Sequence, residues 1–83
     1  MPGRRTPRGV RSPFAIALGK VVRDCRVERG ISSQEHLAEL SGLSKNNIGC
    51  IERGEVDTTL DSLRRIAKAF GVNASDLLRM AGS

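Results

Sequence analysis

Side chains that can pair with the edges of DNA bases lie close together in the stretch SKNNIGCIERG, residues 44–54. If this stretch is a helix with Ile48 and Ile51 turned inward, its outer face carries no acidic residue, unlike most solvated helix faces. Lysine can contact guanine or phosphate, and asparagine can make paired hydrogen bonds to adenine. The candidate DNA-contacting residues in this stretch are Ser44, Lys45, Asn46, Asn47, Gly49, Cys50 and Arg53.

Two residues on this face each have two interpretations. A glycine inside a helix costs about 1 kcal/mol relative to alanine, so Gly49 either permits close approach to another surface or is simply tolerated. Cys50 suggests a redox-sensing hypothesis, although no clear group of basic residues surrounds it. The other cysteine, Cys25, lies on an apolar stripe and is interpreted as a core residue rather than a reactive thiol.

The elements that must position this face are two short helices joined by a glycine-containing turn. The first helix is predicted at about residues 34–40, the turn at 41–43, and the reading helix at about 44–52. The inner side of the first helix is predicted to carry Leu37, Ala38 and Leu40. This is the layout of a helix-turn-helix, whose second helix can lie in the DNA major groove.

A longer helix is predicted ahead of this unit. Ser12 is a good N-cap and Pro13 fits the first helical position, so the helix is expected to begin there. Its apolar stripe at helical spacing is Phe14, Leu18, Val21, Val22 and Cys25. Gly30 is predicted to end this helix, and either Ser32 or Ser33 then caps the next one.

Two more helices are predicted after Gly54, which closes the reading helix. Thr59 is expected to cap the first of them and Gly71 to stop it. Its apolar stripe is Leu60, Leu63, Ile66, Ala67 and Phe70. Asn73, with Asp76 three residues later, predicts the start of a last helix. In a monomer part of that helix's apolar side would stay exposed, which suggests a dimer contact. The residues of that contact are Leu77, Leu78 and Met80.

Length and composition limit the class of protein. A chain of 83 residues with neither tryptophan nor tyrosine predicts one all-α domain, with a core of Leu, Ile, Val and Ala, over residues 14–83. The net charge is +5, and residues 1–13 hold four arginines and no acid. This segment is predicted to be a disordered basic arm. The arm either follows phosphates or enters a minor groove, or it is a solvated leader. Its arginines are Arg4, Arg5, Arg8 and Arg11.

Other functional classes find little support in the residue types. Two cysteines are too few and too far apart for a zinc site, and His36 is a lone histidine expected to be exposed, so neither a metal nor a cofactor is predicted. No enzyme is predicted, because the chain has no phosphate loop, catalytic base or paired acids. No stretch approaches the ~18 apolar residues of a membrane span. The expected location is the cytoplasm, in association with the nucleoid.

Three pieces of the chain carry a family resemblance: LGKVVRDCRVERGIS, QEHLAELSGLSKNNIGCIERG and TLDSLRRIAKAFGVNASDLL. In their order and spacing they resemble the lambda-repressor/Cro-like helix-turn-helix family, also called the Xre family. The similarity covers roughly residues 18–78. The resemblance implies a compact five-helix domain whose third helix reads DNA.

The resemblance also implies roles for single residues. Gln34 matches a glutamine that contacts the DNA backbone, and Asn47 matches a position near phosphate. The positions that match the major-groove face are Ser44, Lys45, Asn46 and Cys50. Arg26 and Glu52 match a buried ion pair that ties the first helix to the third. The chain departs from the family pattern in an additional residue before Gln34, in a glycine at position 49, and in an acidic loop at residues 55–57.

Two functions of different classes follow. The first is a sequence-specific transcription regulator that binds double-stranded DNA as a homodimer, on a pseudo-palindrome with half-sites one turn, about 34 Å, or a multiple of a turn apart. The second is a protein-interaction module of the same fold, an antitoxin or a bridging coactivator, which the nearly neutral folded part favours. For a regulator, three settings stay open: a restriction-modification controller, a phage-type repressor and an antitoxin-like autoregulator. The controller type, a small stand-alone autoregulator, fits the length best.

Overall fold

Five α-helices account for most of residues 12–82, the part of the chain that the computed structural model describes. They are α1 (Pro13–Glu28), α2 (Gln34–Ser41), α3 (Lys45–Glu52), α4 (Leu60–Phe70) and α5 (Ala74–Met80). Within those residues there is no strand, so the all-α five-helix prediction is confirmed. Residues 1–11, with the arginines of the predicted arm, lie outside the described residues, while Ser12 and Pro13 already belong to the start of α1.

Hydroxyl caps define where the first four helices begin. The capping side chains are those of Ser12, Ser33, Ser44 and Thr59, and each accepts a hydrogen bond from the backbone N–H three residues ahead. Of the two serines predicted as possible caps of α2, Ser32 and Ser33, the capping residue is therefore Ser33. At the fifth helix the Asp76 carboxylate accepts the N–H of Asn73 at 2.9 Å. These bonds satisfy N–H groups that have no partner inside the helix.

The turn between α2 and α3 depends on Gly42. Its φ of 76° lies in the left-handed region, which a side chain would disfavour. Its N–H donates to the carbonyl of Ala38 at 2.9 Å, which closes α2 and turns the chain into α3. The other predicted stops, Gly30, Gly54 and Gly71, also have positive φ.

The core lies where all five helices meet. Its fully buried side chains are Val22, Leu37, Ile48, Ile51, Ile66 and Leu77. The α3 helix packs against both α1 and α2, and α5 packs against α1 and α4. The α3 helix is therefore held on its inner side by α1 and α2. None of the helices in residues 12–82 has the length and apolar character needed to cross a membrane.

Four apolar residues are placed differently from the sequence prediction. Phe14 is exposed and Ala15 takes its place in the core, so the buried stripe of α1 begins one residue later. Leu40 is exposed because the buried arc of α2 runs over Leu37, Ala38 and Ser41 and leaves position 40 to one side.

Leu60 and Leu77 are the other two corrections. Leu60 is the first residue of α4 and is 74% exposed, because the buried face of that helix begins at Ser62 and Leu63. Leu77 is fully buried within its own chain, so it belongs to the core and offers no surface to a second subunit.

A close contact between α1 and α3 occurs at Gly19, which the sequence pattern did not single out. Gly19 is buried, and a Cβ there would overlap the carbonyl oxygen of Ile51 and lie 2.8 Å from that of Glu52. Both obstacles are backbone atoms, which cannot rotate away. The backbones of α1 and α3 therefore touch without an intervening side chain.

We expect Gly19→Ala to destabilise the fold by at least about 1–3 kcal/mol, the usual cost of overpacking, although alanine is the better helix former. Urea unfolding followed by circular dichroism measures the change. Lys20→Ala, at an exposed position of the same helix, is the control and should be nearly neutral. Equal stability of the two variants would contradict the close contact.

Candidate nucleic-acid interface

The outer side of α3 presents the polar residues that the sequence singled out. Ile48 and Ile51 are buried, whereas Lys45 and Asn46 are exposed and Cys50 is half-buried. Because successive helical residues are rotated by about 100°, positions 45, 46, 49, 50 and 53 fall within an arc of about 140°. These positions therefore form one continuous surface, which we call the reading face.

A buried ion pair holds α3 against α1 behind this face. The Arg26 Nε donates to Glu52 Oε2 at 2.7 Å, and Nη2 donates to Oε1 at 3.3 Å. The two side chains are only 10% and 3% exposed. The third guanidinium nitrogen, Nη1, donates to the carbonyl of Ile31 at 3.0 Å, so the pair also fixes the segment before α2. The structure thus joins the two residues that the family resemblance had paired.

Gln34 extends this pair to the reading face. Its Nε2 donates to Glu52 Oε1 at 3.0 Å, so the same carboxylate binds side chains from α1 and α2. The expectation for Gln34 was a contact with the DNA backbone, and this internal hydrogen bond was not foreseen. Gln34 and Glu52 are separated by 18 residues on different helices, and no local sequence signal marks such a pairing.

Gly49 is covered rather than open. It is buried although it lies on the outer side of α3, because two side chains lie over it. A Cβ at this position would be 2.9 Å from Arg53 Nη1 and 3.2 Å from Gln34 Oε1. Gly49 therefore faces outward on α3 but is covered by these two side chains, and its backbone is the floor of the reading face.

Arg53 is oriented by the loop that follows α3. Its Nε donates to Glu55 Oε2 at 2.9 Å, and its Nη2 lies 3.8 Å from Cys50 Sγ. The Glu55 carboxylate raises the pKa of the Arg53 guanidinium by accepting this hydrogen bond and by its charge. One of the acidic loop residues that departed from the family pattern thus positions a cation at the edge of the reading face.

The reading face contains a shallow cleft of about 290 Å³. Its lining residues are Gln34, Lys45, Asn46, Gly49 and Arg53. The Lys45 ammonium and the Arg53 guanidinium are hydrogen-bond donors, and the Asn46 amide can donate or accept. Gln34 presents its acceptor Oε1, because its Nε2 donates to Glu52. Such a cleft can receive acceptor atoms such as those of phosphates or purine edges.

The remaining candidate residues are spread over the molecule. The Ser44 hydroxyl accepts the N–H of Asn47 at 3.0 Å and so caps α3. His36 is exposed, as predicted, and Cys25 is buried in the core, where desolvation raises the pKa of its thiol. Met80 is exposed on α5 and Leu78 packs half-buried against the core. Residues 12–82 contain no cluster of three or more side chains suited to a metal ion.

Comparisons with known proteins agree with this architecture. A family model described as Helix-turn-helix matches residues 22–77. The control protein C.BamHI of Bacillus amyloliquefaciens is 40% identical over 63 residues, which cover 76% of this chain and 78% of that protein. The control protein C.SmaI of Serratia marcescens is 46% identical over 50 residues, 60% of each chain.

A solved structure with the same fold is the restriction-modification controller protein C.AhdI from Aeromonas hydrophila. It superimposes with a TM-score of 0.75 at 32% sequence identity. The alignment covers 80% of this chain and 98% of that one. The five-helix arrangement is thus shared over nearly the whole length of that structure.

We expect Arg26→Ala to destabilise the domain by about 3–5 kcal/mol, because it leaves the Glu52 carboxylate buried without its cation. Chemical denaturation monitored by circular dichroism gives the free energy of unfolding. Arg79→Ala breaks the exposed pair with Asp76 and should cost no more than about 1 kcal/mol. A similar loss in the two variants would mean that the Arg26–Glu52 pair has no special structural role.

Proposed function

The chain belongs to the helix-turn-helix family, and from that premise we propose that it is a sequence-specific DNA-binding regulator of transcription. The observation that carries the proposal is the reading face itself. Lys45 and Asn46 are exposed on a helix whose inner side is clamped to the core, and no acidic side chain lies among the outward positions.

The dimensions and chemistry of α3 suit the major groove. A helix with its side chains is about 10–12 Å across, close to the groove's width of about 12 Å. Both residues are exposed; an asparagine can make paired hydrogen bonds with adenine, and a lysine can contact guanine or a phosphate. The Arg26–Glu52 pair fixes the angle at which α3 leaves the body of the domain.

The biological setting that we propose is control of a restriction-modification system. C.BamHI and C.SmaI are named control proteins, and C.AhdI is described as a restriction-modification controller protein. The chain spans more than three-quarters of C.BamHI and nearly all of the C.AhdI structure. We propose that this chain acts on the promoter of its own gene and of the genes for the associated nuclease and methyltransferase.

We expect Asn46→Ala to weaken operator binding by about 1–3 kcal/mol and to relax the base preference at one position. The operator is first selected from random duplexes, and affinity is then measured by fluorescence anisotropy at fixed salt. Ser75→Ala, an exposed polar-to-alanine change on α5, is the control and should bind like the wild type.

The alternative function gives the opposite result in the same assay. A protein-interaction module would select no duplex from the random pool over bulk DNA. If the wild-type protein and Asn46→Ala bind all duplexes alike, the regulator proposal fails and a protein partner becomes the better explanation.

The proposal includes a homodimer on a two-fold operator, in which α5 supplies the contact between subunits. Met80 on this helix is 52% exposed, and Leu78 beside it is half-buried. Together they give the end of α5 an apolar edge that a second subunit could cover, and partner burial would stabilise a chain this short. Leu77 takes no part, since it is already fully buried.

We expect Met80→Asp to raise the dimer dissociation constant at least tenfold in sedimentation equilibrium, because a charge would be buried in the contact. Leu40→Asp is the matched control, since Leu40 on α2 is 51% exposed. If both variants dimerise equally well, α5 is not the subunit contact.

A further inference from the structure

Gly49 lies at the centre of the reading face, and nothing in the fold itself requires a glycine there. Its φ is not positive, so the backbone conformation is open to any residue. The atoms nearest to a Cβ there are the ends of two polar side chains, not core atoms or the backbone of another helix. Gly19 differs from Gly49 in this respect, because a Cβ at position 19 would meet backbone carbonyl groups of α3. Glycine also weakens a helix interior relative to alanine.

The three nearest atoms that a Cβ at position 49 would meet belong to two side chains of the reading face, Gln34 and Arg53. Gln34 Oε1 and the Arg53 guanidinium both lie over the bare backbone of α3. Gln34 is tethered from behind by Glu52 at 3.0 Å, and Arg53 is tethered by Glu55 at 2.9 Å. Because position 49 has no side chain, Gln34 from the start of α2 and Arg53 from the end of α3 can both lie over the backbone of Gly49.

We propose that Gly49 is a specificity-determining residue, whose missing side chain leaves a cleft that admits the edge of one guanine in each operator half-site. The proposal rests on the DNA-binding function proposed above. The side chains of Lys45 and Asn46 are exposed beside this cleft, and both can donate hydrogen bonds into it. Guanine is the base that presents two acceptors, N7 and O6, in the major groove.

The two carboxylates near the cleft, Glu52 and Glu55, already accept hydrogen bonds from protein groups. Glu52 is almost fully buried and accepts hydrogen bonds from Arg26 and Gln34. Glu55 accepts the Nε of Arg53. The cleft is thus lined by three groups that can donate, those of Lys45, Asn46 and Arg53, and by one acceptor, Gln34 Oε1, from which the acceptors of a guanine must stay clear.

The first experiment compares base preferences selected by the wild-type protein and by Gly49→Ala from random duplexes. Gly49→Ala should melt at the same temperature as the wild type or higher, because alanine favours the helix. It should nevertheless lose the guanine preference at one base pair of each half-site and bind the wild-type operator at least tenfold more weakly. The preferences at the other positions should persist.

A second measurement changes the DNA and compares the wild-type protein with Gly49→Ala. Replacing that guanine by 7-deazaguanine removes N7 and keeps the Watson–Crick pair. The wild-type protein should then lose about the same factor in affinity, whereas Gly49→Ala should be nearly indifferent to the change. If no guanine of the selected operator responds in this way, the inference is wrong.

A double-mutant cycle tests how the cleft acts. Arg53→Ala removes the guanidinium that a Cβ at position 49 would displace, so its effect on operator affinity and that of Gly49→Ala should be strongly non-additive. Fully additive effects would overturn the inference. So would a Gly49→Ala protein that selects the wild-type motif with wild-type affinity, and in that case the regulator function would still stand. Only a wild-type protein that selects no motif at all would refute the regulator function.

Discussion

The Glu52 carboxylate is the group on which the geometry of this protein depends. Its two oxygens accept three hydrogen bonds, two from Arg26 and one from Gln34. Those donors come from α1 and α2, while the acceptor is the last residue of α3. A buried charge left without its partner is costly, so the three helices can separate only at a large free-energy cost. The hydrogen bonds of one buried carboxylate, together with core packing, therefore set the orientation of α3 within the domain.

This arrangement separates the residues that hold α3 in the domain from the residues that α3 exposes. On the inner side Ile48 and Ile51 pack into the core, and at Gly19 the backbone of α1 touches that of α3 directly. On the outer side Lys45 and Asn46 are exposed, and neither belongs to the buried core. Substitutions of these two residues should therefore leave the fold unchanged.

Local signals in the sequence predicted much of this structure. The caps Ser12, Ser44 and Thr59 and the inward Ile48 and Ile51 follow from residue type and helical period, and the structure agrees with each. The pairing of Arg26 with Glu52 came from the family resemblance, since the two residues are 26 positions apart.

What could not be predicted are the edges of the buried stripes and the contacts between distant side chains. Helical period indicates a stripe but not where neighbouring helices stop covering it, which is why Leu60 was expected in the core and Leu77 at a subunit contact. The close approach at Gly19 and the covering of Gly49 depend on how α1 and α2 cross α3. Those crossings exist only after the chain has folded, and they leave no local pattern of residues.

Arg26–Glu52 and Arg53–Glu55 differ in their access to water, so dissolved salt should weaken the two ion pairs to different degrees. Arg26–Glu52 is buried, so dissolved ions screen it little. Arg53–Glu55 is exposed on both sides, at 50% and 38% of the side chains, and its attraction weakens as ionic strength rises. Rising ionic strength should therefore weaken the attraction between Arg53 and Glu55 more than that of the buried pair that joins α1 to α3.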